Sequence, residues 1–519
     1  MDRSPDEFVK HTMPKIILTT LNARYFHASL GLRYLMANMG ELEPHTAIRE
    51  FILQTRPADM VECLLQDEPQ IIGFAVYIWN IEQTTQVVAM LKQVQPHVTV
   101  VLGGPEVSYE HKEQAIVSLA DYVITGAADM AFEQLCNNLL AHNKPSAKII
   151  AAAPVPVQDI RLPYRYYSEE DIAHRIIYVE ASRGCPFKCE FCLSALDKTV
   201  WPFDLDAFLD EMQHLYDRGA RHFKFVDRTF NLKIDNSVRI LSFFLERLDE
   251  DLFLHFELIP DHLPDRLKDL IKQFPAGALQ FEVGIQSFNP DVQKLISRKQ
   301  NNAESKDNLR WLREHSHAHI HTDLIAGLPG EDLHSFAHGF NELVQLNPHE
   351  IQLGILKRLR GSPIIRHTEP FRMVYNPNPP YNILSTSLID FQTMQRLNRF
   401  ARYWDLIANS GRFAQTLALL LQDDAFNRFL RFSDWLFALT NRTHQIALDR
   451  LFELVYRGLQ EALNADQHQA REMLLQDYLR TGLKKPPCFI PESEWARLTG
   501  QHKRTVTKAP KRQAQHMAN

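Results

Sequence analysis

Several things are scarce in this chain, and each scarcity removes a class of protein. Cysteine is rare, six in 519 residues, so no disulfide framework is at hand of the kind that holds small secreted folds. No apolar run is long enough to span a bilayer. The first fourteen residues are polar and carry acidic side chains, which is not the pattern of a secretory leader. Neither sign of charge dominates: 57 Lys and Arg stand against 63 Asp and Glu, a net −6, so nothing global draws the chain to nucleic acid. G-x-G-x-x-G is absent, which disfavours a dinucleotide site. Disorder is excluded as the default by composition, 45% hydrophobic and 23% charged. The expectation is a cytoplasmic protein in a reducing environment, without membrane or nucleic-acid partners, and too long for a single core.

What cysteine there is, is concentrated. Three of the six fall in Cys185-Pro-Phe-Lys-Cys189-Glu-Phe-Cys192, just after an apolar, strand-like run at 176–179. Thiolates this close call for a soft metal or an iron–sulfur cluster. Structural zinc wants four ligands, and no Cys or His follows at finger spacing. A cubane of four irons takes three protein thiolates here and leaves one iron open to a small molecule. An amino acid's amine and carboxylate can chelate that iron, and S-adenosylmethionine carries such a pair beside its sulfonium. Cys63, Cys136 and Cys488 have bland surroundings and read as buried or free thiols.

Periodicity divides the rest. After an N-terminal extension (1–14), residues 15–150 alternate strand patterns (15–20, 71–77, 98–102, 122–125) with helical ones, the mark of a parallel, doubly wound Rossmann-like sheet. Ligands of such sheets sit at the carboxyl ends of the strands. Thr20, Asn22, Tyr77, Trp79, Asn80, Gly103, Gly104 and Gly126 lie there, the glycines allowing backbone to approach a ligand closely. Residues 151–175, with Pro154, Pro156 and Pro163, form a linker. Residues 176–358 repeat a strand–helix unit six times, with strands at 176–181, 222–226, 252–258, 279–285, 319–325 and 350–356. Six right-handed units make an open, partial (βα)6 barrel whose active site lies at the carboxyl ends of its strands. The cysteine loop, 227–231, Glu257, Gln286 and 327–331 all fall at that end. Amphipathic helices fill 359–490, an all-α C-terminal domain, and 491–519 reads as a basic, disordered tail.

The spacing Cys185-x3-Cys189-x-Phe191-Cys192, with an aromatic before the last cysteine, resembles the radical S-adenosylmethionine motif, and the six units resemble that superfamily's partial barrel. The preceding domain resembles the cobalamin-binding domain of the B12-binding branch, through Tyr77-Ile-Trp-Asn80 and Val101-Leu-Gly-Gly-Pro-Glu106. The stretch from Tyr381 to Phe413 resembles a C-terminal domain of unknown function attached to some of these proteins. The resemblance implies that Cys185, Cys189 and Cys192 ligate a [4Fe–4S] cluster shielded by Phe191. It implies that Glu282 and Gln286 line the S-adenosylmethionine site, joined by Glu257 at the mouth, and that 323–329, with Asp323 and Gly327, packs near adenine. It implies cobalamin held at the lips named above. The first domain lacks Asp-x-His-x-x-Gly, so no histidine is offered as a lower cobalt ligand. Gly126-Ala-Ala-Asp129 replaces the acidic turn common in the branch, and Asp227-Arg-Thr stands where other branches carry Gly-Gly-Glu.

The implied function is reductive cleavage of S-adenosylmethionine to a 5′-deoxyadenosyl radical, with methylation of an unactivated carbon of a small molecule. An electron donor such as flavodoxin or ferredoxin is the implied partner. Cobalamin-dependent cyclisation or rearrangement uses the same parts. A non-catalytic corrinoid sensor, or a scaffold whose helical domain binds a partner, is the rival from another class. A methylthiotransferase is disfavoured, because the first domain has only Cys63 and Cys136 to offer a second cluster.

Overall fold

Strand β1 (Ile16–Asn22) is buried along its whole length, so it must be central in a sheet covered on both faces. It pairs in parallel with β2 (Thr46–Ile52) on one side and β3 (Ile71–Ala75) on the other. With β4 (Thr99–Gly103), β5 (Tyr122–Thr125) and β6 (Ile149–Ala151) the order is β2-β1-β3-β4-β5-β6, all parallel. The strand order reverses between β1 and β3, which places the ligand crevice of such a sheet at the carboxyl ends near that point. Two strands here have no counterpart in the sequence pattern. β2 is a half-exposed edge strand carrying Arg49 and Glu50, and β6 is three residues long, so neither shows an apolar run. The computed structural model describes residues 13–197, 199–499 and 516.

The barrel follows as β7 (Ile177–Val179), β10 (His222–Phe225), β11 (Phe253–Leu258), β12 (Leu279–Gln286), β13 (His319–Ala326) and β14 (Glu350–Ile355), all parallel, in the order β14-β13-β12-β11-β10-β7. Between β7 and β10 an antiparallel pair, β8 (Ser182–Gly184) and β9 (Val200–Pro202), closes the base of the cysteine loop. Side chains alternate along the strands. Phe223, Phe225, Phe256, Phe281 and Ile285 are buried under the helices. Lys224, His255, Glu257, Glu282, His321 and Asp323 fall on the opposite, concave face. The two-residue period thus separates an apolar layer that holds the barrel from a polar layer that lines it.

The linker is more than a tether. Residues Glu169–His174 form a helix closed by a capping box on Ser168 and Asp171. Arg33 bridges Glu50 (3.0 Å) and Asp171 (2.7 Å), and Arg175 reaches Glu50 (3.2 Å), with the Arg33, Glu50 and Asp171 side chains almost wholly buried. This network fixes the first sheet to the start of the barrel. A second junction joins the loop after β4 to the segment after β14. Glu106 accepts from Arg360 Nε (2.9 Å) and Tyr381 OH (2.7 Å), and Glu110 accepts from both terminal nitrogens of Arg358 (3.0 Å each).

Beyond residue 359 the chain is not uniformly helical. A 3-10 turn (Pro363–His367) and a short hairpin, β15 (Val374–Tyr375) with β16 (Ile383–Ser385), come first. Helices Phe391–Ile407, Ala414–Leu421, Ala425–Thr440, Leu448–Glu461 and Gln467–Thr481 follow. They extend the barrel's own core: Phe340, on a barrel helix, meets Trp404 (4.8 Å) and Phe400 (5.1 Å) edge-on. The tail expected to be disordered begins as a helix, Glu492–Thr499, in which Trp495 is 7% exposed and donates to Lys484 O (3.2 Å). Apart from His516, residues beyond 499 lie outside the described ones. Among the described residues no helix is long and apolar enough to cross a membrane.

Candidate functional site

The cysteine loop is rigid because its backbone is captured on both sides. Glu190, between Cys189 and Phe191, is 3% exposed, and its carboxylate accepts from Ser297 Oγ (2.6 Å), His367 Nε2 (2.8 Å) and Arg366. The Glu190 N–H donates to Ile296 O (3.0 Å), and the Ile364 N–H donates to Glu190 O (2.9 Å). At the base of the loop Asp227 accepts from the Ala181 N–H (3.0 Å) and Ser182 Oγ (2.6 Å). Burial pushes the Asp227 carboxyl up to about 7 against those hydrogen bonds. Gly184 at φ +95° is required there, since a Cβ would lie 2.2 Å from Thr199 O.

The three thiols line one cavity of about 240 Å³ with Phe191, Arg228, Glu257, Glu282, Gln286, Arg298 and Asp323. Cys185 and Cys189 are buried and Cys192 half-buried, all as free thiols. Burial pushes the Cys185 and Cys189 thiols up, so a positive partner has to stabilise their thiolates.

The remaining wall carries both charges in fixed pairs. Arg228 bridges Glu257 (2.8 Å). Arg298 stands 3.6 Å from Cys189 Sγ through Nη1, donates to Gly284 O through Nη2 and to Gln300 Oε1 through Nε (2.9 Å). Burial would raise Glu282, but His255 Nε2 (2.9 Å) and Lys224 Nζ (3.5 Å) hold its carboxyl well below the usual range. Asp323 moves the other way: burial, with the Glu282 and Glu257 carboxylates near, pushes it well up. Asp323 Oδ1 and Gln286 Oε1 are buried without hydrogen-bond partners. Gln286 sits at φ +69°, beside the register shift that ends β12. Buried acceptors left open at the mouth of a barrel are where a ligand's hydroxyl or amine donors belong.

The second crevice, about 260 Å³, opens at the carboxyl ends of β3, β4 and β5. Its floor is apolar, from Leu35, Phe74, Leu102, Ile124 and Phe132, and its lips are Gly103, Gly104 and Gly126. Gly104 at φ +106° admits no side chain, because a Cβ would meet Val76 O at 2.5 Å. Among the described residues no histidine lines this crevice. Arg183 forms part of the rim, paired with Asp129 (3.0 Å) and Glu180 (3.1 Å). Two residues further on, Cys185 lines the barrel cavity, so one short strap separates the two sites.

The structure sorts the sequence candidates. Cys185, Cys189, Cys192, Phe191, Glu257, Glu282, Gln286 and Asp323 converge on the barrel cavity, and Tyr77, Gly103, Gly104 and Gly126 on the crevice. Gly327 converges on neither: it sits at φ +87° against Ile383, 2.5 Å from where its Cβ would be, and so serves the packing of the C-terminal hairpin. Thr20, Asn22 and Asn80 are buried ties rather than lips. Thr20 Oγ1 donates to Ala75 O (2.8 Å). Asn22 Nδ2 donates to His27 O and Glu50 (2.9 Å each). Asn80 Nδ2 donates to Thr20 Oγ1 (3.2 Å) and Leu21 O (3.1 Å), and its Oδ1 accepts from the Tyr77 N–H (2.8 Å). Trp79 is 49% exposed and stacked on Tyr77 at 4.4 Å. Arg228 falls in the segment 227–231 expected at the mouth, whereas Arg298 and Arg183 were missed, because no spacing links them to the cysteines. Gly73 carried a signal, a glycine inside an apolar strand. It lets Phe132 approach to 2.7 Å of the missing Cβ.

Comparison with known proteins agrees with this layout. Residues 16–136 match the B12 binding domain, 179–343 the Radical SAM superfamily, and 369–518 a protein of unknown function (DUF4080). The chain is 24% identical over 443 residues to the cobalamin-dependent radical SAM methyltransferase TokK of Streptomyces tokunonensis, covering 76% of this chain and 61% of that protein. Its fold is similar to that of the cobalamin-dependent S-adenosylmethionine radical enzyme OxsB, with TM-score 0.59, 13% identity, 94% of this chain and 83% of that one covered. It is also similar to the radical S-adenosylmethionine methyltransferase TsrM from Kitasatospora setae, with TM-score 0.56, 15% identity and 73% and 81% covered.

Proposed function

We propose that this chain, a member of the radical S-adenosylmethionine superfamily with a B12-binding domain ahead of its barrel, is an enzyme that methylates an unactivated carbon of a small molecule. The observation that carries the reading is the convergence of three thiols, two buried acceptors without hydrogen bonds and paired charges of both signs in one barrel mouth, one strap away from a glycine-lipped crevice. When bound, a [4Fe–4S] cluster supplies the electron that cleaves S-adenosylmethionine to a 5′-deoxyadenosyl radical, and cobalamin carries the methyl group.

The chain's own residues do the placing. Cys185, Cys189 and Cys192 hold the cluster, and Phe191 shields it from water. Arg298, beside Cys189, offers a guanidinium to the carboxylate of an amino-acid ligand. Glu257 and Glu282 face its ammonium. Asp323, whose carboxyl burial pushes up, and Gln286 take the ligand's hydroxyl groups. The crevice accepts the corrinoid by shape and backbone, with no histidine as lower cobalt ligand. A flavodoxin or ferredoxin delivers the electron, and the cytoplasm is the compartment that keeps the thiols reduced.

The test is anaerobic reconstitution with iron, sulfide and cobalamin, followed by turnover with S-adenosylmethionine and reductant. Wild-type protein should form 5′-deoxyadenosine. Cys185→Ala, Cys189→Ala and Cys192→Ala should each lose the cluster's visible absorbance and about 10³-fold or more of that activity. Full iron and activity in all three variants would sink the reading. Product mass separates the outcomes on a trapped substrate: a gain of one CH2 is methylation, and an isomer would transfer the reading to rearrangement.

A further inference from the structure

The opposite end of the barrel carries a second group of ligating side chains, and no part of the radical chemistry uses it. His319 opens β13 and Glu350 opens β14, both at amino ends, on the floor of the barrel away from the cysteines. Both are buried, at 4% and 7% exposure. His319 Nε2 lies 3.1 Å from Glu350 Oε1. The third member comes from the far end of the chain. His516 sits against this pair with its ring 5.2 Å from that of His319, and one ligating atom from each of the three residues lies within 4.8 Å of the others.

We propose that His319, Glu350 and His516 form a site for a divalent transition metal of the zinc class, which fastens His516 to the floor of the barrel. Two imidazoles and a carboxylate are the donor set that such ions take, with water as the fourth ligand. Two donors of a tetrahedral ion with arms of about 2.0 Å stand roughly 3.3 Å apart, close to the His319–Glu350 separation. His516 Nε2 lies 3.0 Å from Asn409 O. Hydrogen bonds of this kind orient metal-bound histidines generally. Asn409 is itself held by Ile351 on β14, through Nδ2 to Ile351 O and Oδ1 from the Ile351 N–H (2.9 Å each). The remaining neighbours are compatible. His349 stacks on His319 at 4.6 Å, accepts from the Ile320 N–H at Nδ1 (2.9 Å) and stands 2.7 Å from Arg313 at Nε2, so it forms a wall and not a fourth ligand. The match to the domain of unknown function runs to residue 518, so His516 lies inside the unit that the metal would fasten.

Zinc is the probe, and it must be separated from metal on the cysteines. Full-length protein carrying Cys185→Ala, Cys189→Ala and Cys192→Ala should bind one zinc per chain at low-micromolar free zinc and retain it through gel filtration. Adding His516→Ala should weaken that binding by at least about 10- to 100-fold. His516→Cys should restore it, since a thiolate is an equally good ligand. His319→Ala and Glu350→Gln should behave as His516→Ala does, and circular dichroism identifies any variant that fails to fold. Equal zinc content with and without His516, or none at all in the His516-containing protein, would overturn the site. The radical reading is untouched by either result, because the readout is metal content in protein without the cluster cysteines.

Discussion

The two cavities sit at equivalent places, each at the carboxyl ends of a parallel sheet, yet they are built in opposite ways. The barrel cavity is a set of side chains with defined charge, several locked by a partner: Arg228 on Glu257, Glu282 on His255. The crevice of the first domain has glycine at three of its lips and an apolar floor, with a single ion-paired arginine, Arg183, on the rim. A site that must place reactive groups needs preorganised polar atoms, whereas one that seats a large flat ligand needs room and close backbone. The difference teaches where each is vulnerable: the barrel to loss of a charge, the crevice to gain of a methyl group.

The largest effect should come from breaking the charged side of this contrast. Arg298→Ala is expected to lower kcat/KM for S-adenosylmethionine cleavage by about 10- to 100-fold, the worth of a hydrogen bond to a charged group. Iron per chain should stay at the wild-type value, and Arg298→Lys should recover part of the loss. If iron falls in parallel with activity, Arg298 holds the loop and not the ligand.

A smaller effect is expected in the crevice. Gly104→Ala forces a side chain into φ +106° and against Val76 O, at a cost of about 1–3 kcal/mol, which a melting curve reads as a shift of a few degrees. Cobalamin retention on gel filtration should fall with it, while iron content does not change. Gly103→Ala sharpens the point, since its Cβ meets only Ile124 O at 3.9 Å. It should leave stability alone and reduce cobalamin binding only through the volume it takes.

The smallest effect concerns pH. Burial raises the carboxyls of Asp227 and Glu331 to about 7, above their unfolded values. A group whose folded pKa is raised stabilises the fold while protonated and loses that contribution as pH rises through the folded value. The melting temperature of the cluster-free protein should therefore decline from about pH 4, the unfolded carboxyl range, to about pH 7.5, and level off above it. Glu331→Gln, which keeps an acceptor for Ser287 Oγ, should flatten the slope. An unchanged slope would assign the decline to other groups.

These contrasts also explain what could be read in advance. The six barrel strands were visible because apolar runs alternate with helical patterns between them, and β2 and β6 were not because an edge strand and a three-residue strand carry no such run. Glu282, Gln286 and Asp323 were legible as strand-end polar residues in otherwise apolar segments. Gly327 was misplaced for the same reason: a glycine after a strand looks alike whether it faces a ligand or, as here, Ile383. Thr20, Asn22 and Asn80 were on the correct edge of the sheet, but their polar atoms satisfy backbone and neighbours.

The order of residues by itself determined the cysteine loop, the strand–helix repeat and the division into sheet, barrel and helices. All three depend on contacts between residues near in sequence or on a short period. Only the tertiary structure decided which distant side chains meet. Arg298 beside Cys189, Arg360 on Glu106, and His516 beneath His319 and Glu350 join residues from far-apart parts of the chain. No local pattern encodes such meetings, because they follow from how complete elements pack and where the chain returns after packing.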